Sequence, residues 1–308
     1  MTHIILVSGK GGFWLMFSEK KVKIEIILYD YKTLNGETTT NFSSGKVLTF
    51  ENYRVNCKIV KVPSSAGYTA SVDIYGVSKQ HLEQMTMIAW INGEVIPRGV
   101  KIYADDGKGY QILFEGGIME AIPVYKEVPD VAIHIESSML VYPNLMKAPP
   151  ISLTNGASIS LFCQQMCSAY GVACSFDESA NQTWAGGTVV FGQDNLGDRL
   201  EALKSFGFDY NFGAGVYVFA KNANISRRWF FTPADYVGYP TFETFGICVE
   251  TADVTSKINC GDVINIKGSD VAVACGDWQV NKIEYNLQPR KPDGEWSMKI
   301  HTTRYLVE

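Results

Sequence analysis

The sequence predicts a mainly β protein that carries a small α+β insertion. Polar and apolar residues alternate in 21–26 and 55–62, as they do in strands with one buried face. Turn-forming clusters separate further short strands, and helix signals are concentrated between 149 and 225. The chain has 308 residues, of which 46% are apolar, so it is long enough for two or three domains with hydrophobic cores.

The first half is predicted to consist mostly of β-strands. Strands over 53–62 and 68–75 flank the turn cluster 63–67 and should form a long hairpin. Ser78 is a suitable N-cap for a short helix over 79–85. Further strands are expected at 100–104, 110–116, 117–122 and 131–136. Short strands at this spacing are typical of a barrel or a sandwich.

The composition changes near 147–150, where a domain boundary is expected. Beyond it, two helices are predicted, each with a capping residue or a terminal glycine: 159–170, with Thr154 or Ser158 as its cap and Gly171 at its end, and 196–206, followed by Gly207. Strands are expected at 172–176, 188–191, 208–212 and 216–219. These helix–strand units indicate a small α+β domain.

The last part of the chain returns to β structure. Its strands are predicted at 247–251, 263–267, 278–285 and 295–302. The predicted organisation is therefore an N-terminal arm over 1–20, a first β domain over 21–148, the small α+β domain over 149–225 and a second β domain over 226–308.

Charge and hydropathy argue against two classes of function. The net charge is −5, whereas a dedicated nucleic-acid binder needs clustered Lys and Arg. The apolar stretches are shorter than the roughly 20 residues of a membrane-spanning helix. Residues 1–17 look superficially like a signal peptide, but no basic region precedes their apolar run and no small-residue cleavage site follows it. We expect them to form a strand or arm of a chain made in the cytosol.

Seven cysteines are present, and none belongs to a C-x-x-C pair. Cys163 and Cys167 lie about one helical turn apart, with Cys174 after them, and three thiols can in principle bind a soft metal. A fourth ligand is missing nearby and the flanking residues are apolar. We therefore expect small buried thiols in a reducing compartment, with no metal and no cofactor.

The sequence contains no complete catalytic motif. Residues 8–12 (SGKGG) follow an apolar run but lack the Gly-Lys-[Ser/Thr] ending of a phosphate-binding loop, so an α/β enzyme built on this loop is a weak alternative. No G-x-S-x-G motif occurs. No histidine has a second His or Cys at metal-ligand spacing in the sequence: His3, His81, His134 and His301. We predict no catalytic residue and no enzymatic activity.

Three stretches follow one another in a specific order: the hairpin and helix start at 55–78, the segment YQILFEGG at 110–117, and a C-terminal pattern. In that pattern Gly246 precedes a strand, Gly261 and Asp262 make a turn, and two later strands begin at Trp278 and Trp296. Gly261 can adopt a positive φ, and Asp262 can accept hydrogen bonds from the turn backbone. In this order the stretches resemble phage and prophage baseplate hub proteins of the Mu-like and late-control D kind.

The resemblance implies a structural role in the tail baseplate of a virion. Hub proteins of this kind form homotrimers in which each protomer supplies two small β-barrels, here 21–148 and 226–308, flanking the α+β domain. The resulting ring of six barrels would match the sixfold tail tube, join it to the central spike and let DNA pass. The implied partners are the chain itself, the tail tube, the spike, the tape-measure protein and the baseplate wedges.

The aromatic residues before Phe245 have two interpretations. Exposed aromatic side chains often anchor interfaces, which makes four residues candidates for partner binding: Trp229, Phe230, Phe231 and Tyr236. They could equally fill the core at the joint between the insertion and the second β domain. A second functional class also stays open, namely a tail component that binds cell-wall glycan or degrades peptidoglycan.

Overall fold

A computed structural model describes most of the chain: residues 19–34, 37–86, 97–127, 130–145, 148–213, 215–221 and 227–305. The glycine-rich segment 8–12, His3 and nearly all of the expected N-terminal arm lie outside these residues. The described helices include none that is long and apolar enough to cross a membrane.

The described residues of the first half form seven strands and one short helix. They are β1 (Lys21–Leu34), β2 (Glu37–Glu51), β3 (Val55–Lys61), β4 (Thr69–Tyr75), α1 (Lys79–Met85), β5 (Arg98–Asp105), β6 (Gln111–Glu127) and β7 (Asp130–Ser138). The predicted hairpin is confirmed, because β3 pairs with β4 in antiparallel register. Ser78 caps α1 as predicted, and its hydroxyl accepts a hydrogen bond from the His81 backbone N–H at 3.3 Å.

One strand prediction in this half is wrong. Residues 110–116 and 117–122 were expected to form two strands, but β6 runs without a break through Gly116 and Gly117. Both positions require glycine, because neighbouring groups lie too close for a side chain. A Cβ on Gly116 would lie 2.7 Å from the carbonyl oxygen of Ser138, and one on Gly117 would lie 2.6 Å from the ring of Tyr142. The glycines therefore permit close packing of a continuous strand.

The middle of the chain forms the predicted α+β part. Its elements are α2 (Val141–Leu145), β8 (Ile151–Leu153), α3 (Ile159–Ser168), β9 (Cys174–Phe176), β10 (Val189–Phe191), α4 (Leu196–Lys204), β11 (Phe208–Phe212) and β12 (Val216–Ala220). Ser158, rather than Thr154, caps α3. Helix α4 ends at Lys204 instead of 206, and Gly207 follows with a φ of +86°.

The α+β part contacts the first half directly. Arg199 is buried, and its guanidinium donates hydrogen bonds to the carbonyl oxygens of Ala148, Pro149 and Gly192. At the start of α4, a Cβ on Gly197 would lie 2.0 Å from the carbonyl oxygen of Ser65. This glycine thus allows the helix to approach the β3–β4 turn.

Between residues 227 and 305 the structure has six strands. They are β13 (Arg228–Phe231), β14 (Thr241–Phe242), β15 (Ile247–Thr251), β16 (Val263–Ile266), β17 (Gly276–Leu287) and β18 (Trp296–Arg304). Each of the four strands predicted here is present, with bounds that differ by a few residues.

Hydrogen bonds join the two β regions into one path of strands. Among the described residues the order is β14-β15-β18-β17-β3-β4-β7-β6-β5-β1-β2, with β13 and β16 branching from β17. The two regions meet where β17 pairs with β3, from Ile283 opposite Lys61 to Leu287 opposite Cys57. The mainly β class with an α+β insertion is confirmed, whereas the closure of two separate barrels stays a prediction.

Candidate interaction surface

Five exposed apolar side chains lie between residues 230 and 245 of the second β region. Phe230 is 64% exposed and Phe245 is 82% exposed, and three further large apolar residues between them are also exposed: Val237, Tyr239 and Phe242. Single exposed apolar residues are common on protein surfaces, and a second stretch, 110–125, also carries five exposed large apolar residues. The stretch in the second β region differs in being mostly aromatic, and aromatic side chains are the ones that most often anchor interfaces. Residues 230–245 are called the aromatic segment below.

The aromatic segment starts on β13, an outer strand that pairs in parallel with β16. Successive side chains of a strand point to opposite faces, so Trp229 and Phe231 point inward while Phe230 points outward. Phe231 and Tyr236 are each only 8% exposed and belong to the hydrophobic core. Of the four candidate interface aromatics, the fold therefore exposes Phe230, leaves Trp229 half-buried and uses the other two as core residues.

A turn at Gly261 and Asp262 anchors β13 through side-chain hydrogen bonds. Gly261 has a φ of +91°, as predicted. Asp262 is buried, and its Oδ2 accepts hydrogen bonds from the Asn259 backbone N–H at 3.0 Å and from the Trp229 Nε1 at 2.9 Å. The Asp262 Oδ1 lies 3.4 Å from the Arg227 Nε. Burial raises the pKa of the Asp262 carboxyl in spite of these partners. The turn thus ties the indole of Trp229 to the core.

The segment ends on the hairpin formed by β14 and β15. Its turn is closed by backbone hydrogen bonds between Glu243 and Gly246, with N–O distances of 2.9 and 3.4 Å. A Cβ on Gly246 would lie 1.6 Å from the carbonyl oxygen of Thr302, so only glycine allows β18 to approach this closely. The hairpin carries Phe242 and Phe245 into solvent.

The two remaining residues of the C-terminal pattern are structural. Trp278 is buried on β17, and its Nε1 donates a hydrogen bond to the Ala274 carbonyl oxygen at 2.8 Å. Trp296 starts β18, where it is buried together with Met298 and Ile300 on one face. These side chains stabilise the strands that present the aromatic segment.

A cleft of about 720 Å³ lies beside the aromatic segment. The tip between β5 and β6 forms one wall, and residues 251–258 form another. Lys108 Nζ lies 2.6 Å from Asp253 Oδ1, and the Gln111 side chain accepts a hydrogen bond from the Ser256 backbone N–H at 2.9 Å while donating one to the Val254 carbonyl oxygen. These bonds hold the tip against the second β region.

Two carboxyl groups share this cleft. Burial raises the pKa of Asp106, and so does its hydrogen bond with Asp253. The same hydrogen bond lowers the pKa of Asp253. Lys108 Nζ lies 3.9 Å from Asp106 Oδ2 and 2.6 Å from Asp253 Oδ1, so one ammonium group lies close to both carboxyls. Glycoside hydrolysis needs two carboxyls separated by about 5 Å or more across a sugar, so this touching pair does not have the required geometry.

The thiols near α3 are mostly buried. Cys163 and Cys167 are fully buried, and Cys174 is half-buried. A hydrogen bond between the last two raises the pKa of Cys167 and lowers that of Cys174. Their burial agrees with the expectation of small hydrophobic side chains.

The structure brings together three metal-ligand side chains that the sequence gave no reason to group. Glu243, Cys248 and His301 each offer a ligand atom, and these atoms lie within 4.8 Å of one another. The signal was hidden because Cys248 and His301 lie on different predicted strands, and only the antiparallel pairing of β15 with β18 places them opposite each other.

Comparisons with solved structures identify the fold. A tail protein of 43 kDa from prophage MuSo2 of Shewanella oneidensis is similar over 93% of this chain and 97% of its own, with a TM-score of 0.56 and 10% identity. A tail protein from Neisseria meningitidis is similar over the same shares, with a TM-score of 0.57 and 8% identity. A component of the Escherichia coli type VI secretion system is described as structurally similar to T4 tail proteins. It is similar over 82% of this chain and 74% of its own length, with a TM-score of 0.56 and 9% identity.

Comparisons at the level of sequence give no relative. No protein-family model matches the chain, and no curated protein matches it. The chain therefore has the fold of these tail proteins, while its sequence has diverged from theirs to about one identical residue in ten.

Proposed function

We propose that the chain is a structural subunit of a phage-type tail baseplate. One observation carries the proposal: the fold is similar to that of two tail proteins, one of them from a prophage, over 93% of this chain and 97% of each of theirs. Agreement across all parts of the chain includes the α+β insertion between the two β regions. A shared small domain alone would not extend so far.

Within the baseplate we assign the chain to the hub, as a homotrimer. Regions 21–148 and 226–308 would each supply one barrel-like position, so that three protomers make a ring of six. Such a ring is built from head-to-tail contacts that close after three copies. The aromatic segment supports this assignment. Phe230 and Phe245 expose apolar surface to water, which is unfavourable unless a neighbouring protomer covers it.

The hub would connect the sixfold tail tube to the threefold spike and leave a channel for DNA. The tape-measure protein and the baseplate wedges would be further partners, and the finished protein would reside in the virion. The net charge of −5 is compatible with DNA passage, because a basic channel would bind phosphates instead of releasing them.

The assembly state tests the proposal. Mass photometry and negative-stain electron microscopy of the full chain, alone and mixed with tube and spike proteins of the same phage, should show a ring with three copies. Phe230→Ser and Phe245→Ser should each weaken trimer formation by roughly 30-fold or more if these residues are interface anchors. The matched control is Val190→Ser on β10, which removes an apolar side chain as exposed as Phe230 from a separate two-stranded sheet formed with β8. A chain that stays monomeric with both partners would contradict the hub assignment.

Glycan binding is a second candidate, favoured by the cleft of about 720 Å³ beside Trp229, Phe230 and Tyr236. Aromatic and carboxyl groups line it, as they line many sugar-binding sites. Co-sedimentation of the chain with purified cell wall would support this function, provided that Asp253→Asn reduces the bound fraction.

A further inference from the structure

The β14–β15 hairpin and the neighbouring strand β18 bring three different ligand types to one point. Cys248 and His301 are directly opposed in the antiparallel pairing of β15 with β18, so their side chains project from the same face. Glu243 lies in the hairpin turn, and its Oε1 is 2.7 Å from the His301 Nδ1. The three ligand atoms lie within 4.8 Å of one another.

We infer that Glu243, Cys248 and His301 form a binding site for a zinc ion. A carboxylate oxygen, a thiolate sulfur and an imidazole nitrogen are the donors that Zn²⁺ accepts in proteins, and a hard cation such as Mg²⁺ would not select the sulfur. Three protein ligands leave the fourth tetrahedral position to water. Glu243 is exposed and the other two residues are half-buried, so water can reach this position.

The charges around the site favour a cation. The thiol of Cys248 is surrounded by the carboxylates of Glu243, Glu250 and Glu284, against the ammonium group of Lys299. That ammonium is itself paired with carboxylates, at 3.1 Å from Glu295 and 4.0 Å from Glu250. Glu284 is also paired, since Lys282 Nζ lies 2.5 Å from its Oε1 and Lys58 is close to it. The four carboxylates still outnumber these three ammonium groups, so the local charge is negative in the absence of a metal. When zinc binds, the thiol releases its proton to water and a zinc–sulfur bond replaces the S–H bond.

A bound ion would fix the part of the aromatic segment that the backbone holds least. Strand β14 has only two residues and pairs with β15 through Thr241 and Phe242. Zinc held by Glu243 on the turn and by His301 on β18 would connect this short hairpin to a long central strand. Phe242 and Phe245 would then be presented in one orientation, which lowers the entropy lost when they dock onto a partner.

Cobalt binding tests the site directly, because Co²⁺ occupies zinc sites and shows a thiolate-to-cobalt charge-transfer band. The full chain, without a histidine tag and with its thiols reduced, should bind one equivalent and show this band. Cys248→Ser should abolish the band, and His301→Gln or Glu243→Gln should weaken binding by roughly 100-fold or more. Zinc should displace cobalt from the wild-type protein.

Two matched variants distinguish this site from other thiols. Cys275→Ser removes another half-buried thiol and should leave the band unchanged. Cys167→Ser tests the rival thiol group near α3. Loss of the band in Cys167→Ser, its persistence in Cys248→Ser, or its absence from the wild-type protein would each overturn the assignment. Hydrogen exchange gives an independent readout, since zinc should slow exchange in residues 241–248 of the wild type and not of Cys248→Ser. The outcome does not depend on whether the chain forms a trimer.

Discussion

A buried lysine lies where the two β regions join. Lys61 is the last residue of β3, is 5% exposed, and pairs with Ile283 on β17. Its Nζ lies 5.0 Å from the centre of the Tyr285 ring and 5.8 Å from that of Tyr68. Burial lowers the pKa of Lys61 from 10.5 to about 8. The protein therefore holds a charge at neutral pH in a place that disfavours it.

The cost of that charge depends on pH in a way that can be calculated. At pH 7 the lysine is protonated in both the folded and the unfolded chain, and the lowered pKa corresponds to about 3 kcal/mol of lost stability. Above pH 8 the folded protein releases the proton, while the unfolded chain keeps it up to 10.5. The cost therefore falls as pH rises, by about 2 kcal/mol between about pH 7 and 9.5.

Replacement of Lys61 by Met removes the charge at nearly constant volume. The variant should be as stable as the wild type at pH 7 or more stable, by at most about 3 kcal/mol, because the lost cation–π contacts offset part of the gain. The difference in unfolding free energy between variant and wild type should then shrink by about 2 kcal/mol from about pH 7 to 9.5.

Urea unfolding of both proteins across this pH range measures the difference. The comparison must be made as a difference, because burial raises the pKa of thiols such as Cys57 and Cys260 to about 12, so alkali destabilises both proteins. Lys58→Met, on the same strand but exposed, is the control and should show a constant difference. A difference for Lys61→Met that does not change with pH would refute the reasoning.

Two further predictions concern the contacts of the α+β part. Arg199→Met should lower the unfolding free energy by roughly 3 kcal/mol, because three backbone carbonyls lose a buried donor; urea unfolding measures this, and a loss below about 1 kcal/mol would contradict it. Gly197→Ala should cost roughly 1–3 kcal/mol, because its Cβ would collide with the Ser65 carbonyl oxygen, whereas Gly187→Ala, which has open space around it, should leave the melting temperature nearly unchanged.

Local patterns predicted most of the elements, because burial on one face imposes a period of two on a strand. Residues 55–61 and 69–75 alternate in exposure as their sequence alternates in polarity. The prediction failed at Gly116 and Gly117, where two glycines look like a turn but serve close packing by Tyr142 and Ser138. Whether a glycine bends a strand or makes room for a neighbour depends on residues that are distant in sequence.

The candidate surface was harder to predict than the fold. The run Arg228–Phe231 is short and almost wholly aromatic, so its sequence does not show which side chains point outward. Pairing with β16 decides this, and it buries Phe231 while exposing Phe230. Likewise, Cys248 and His301 are separated by several elements and become neighbours only through strand register. Long-range pairing carried this information, and no local pattern contains it.

The pairing of β17 with β3 has a consequence for any ring built from this chain. It joins the two β regions of a protomer by a hydrogen-bonded register that runs from Ile283–Lys61 to Leu287–Cys57, at the spacing of about 4.8 Å that neighbouring strands share. Contacts between protomers, by contrast, would rest on side chains such as those of the aromatic segment. A trimer would thus contain three hydrogen-bonded strand pairings, one within each protomer, and three more deformable side-chain interfaces between protomers. Any conformational adjustment between a threefold spike and a sixfold tube would occur at the interfaces between protomers. We therefore expect mutations at these interfaces to affect it.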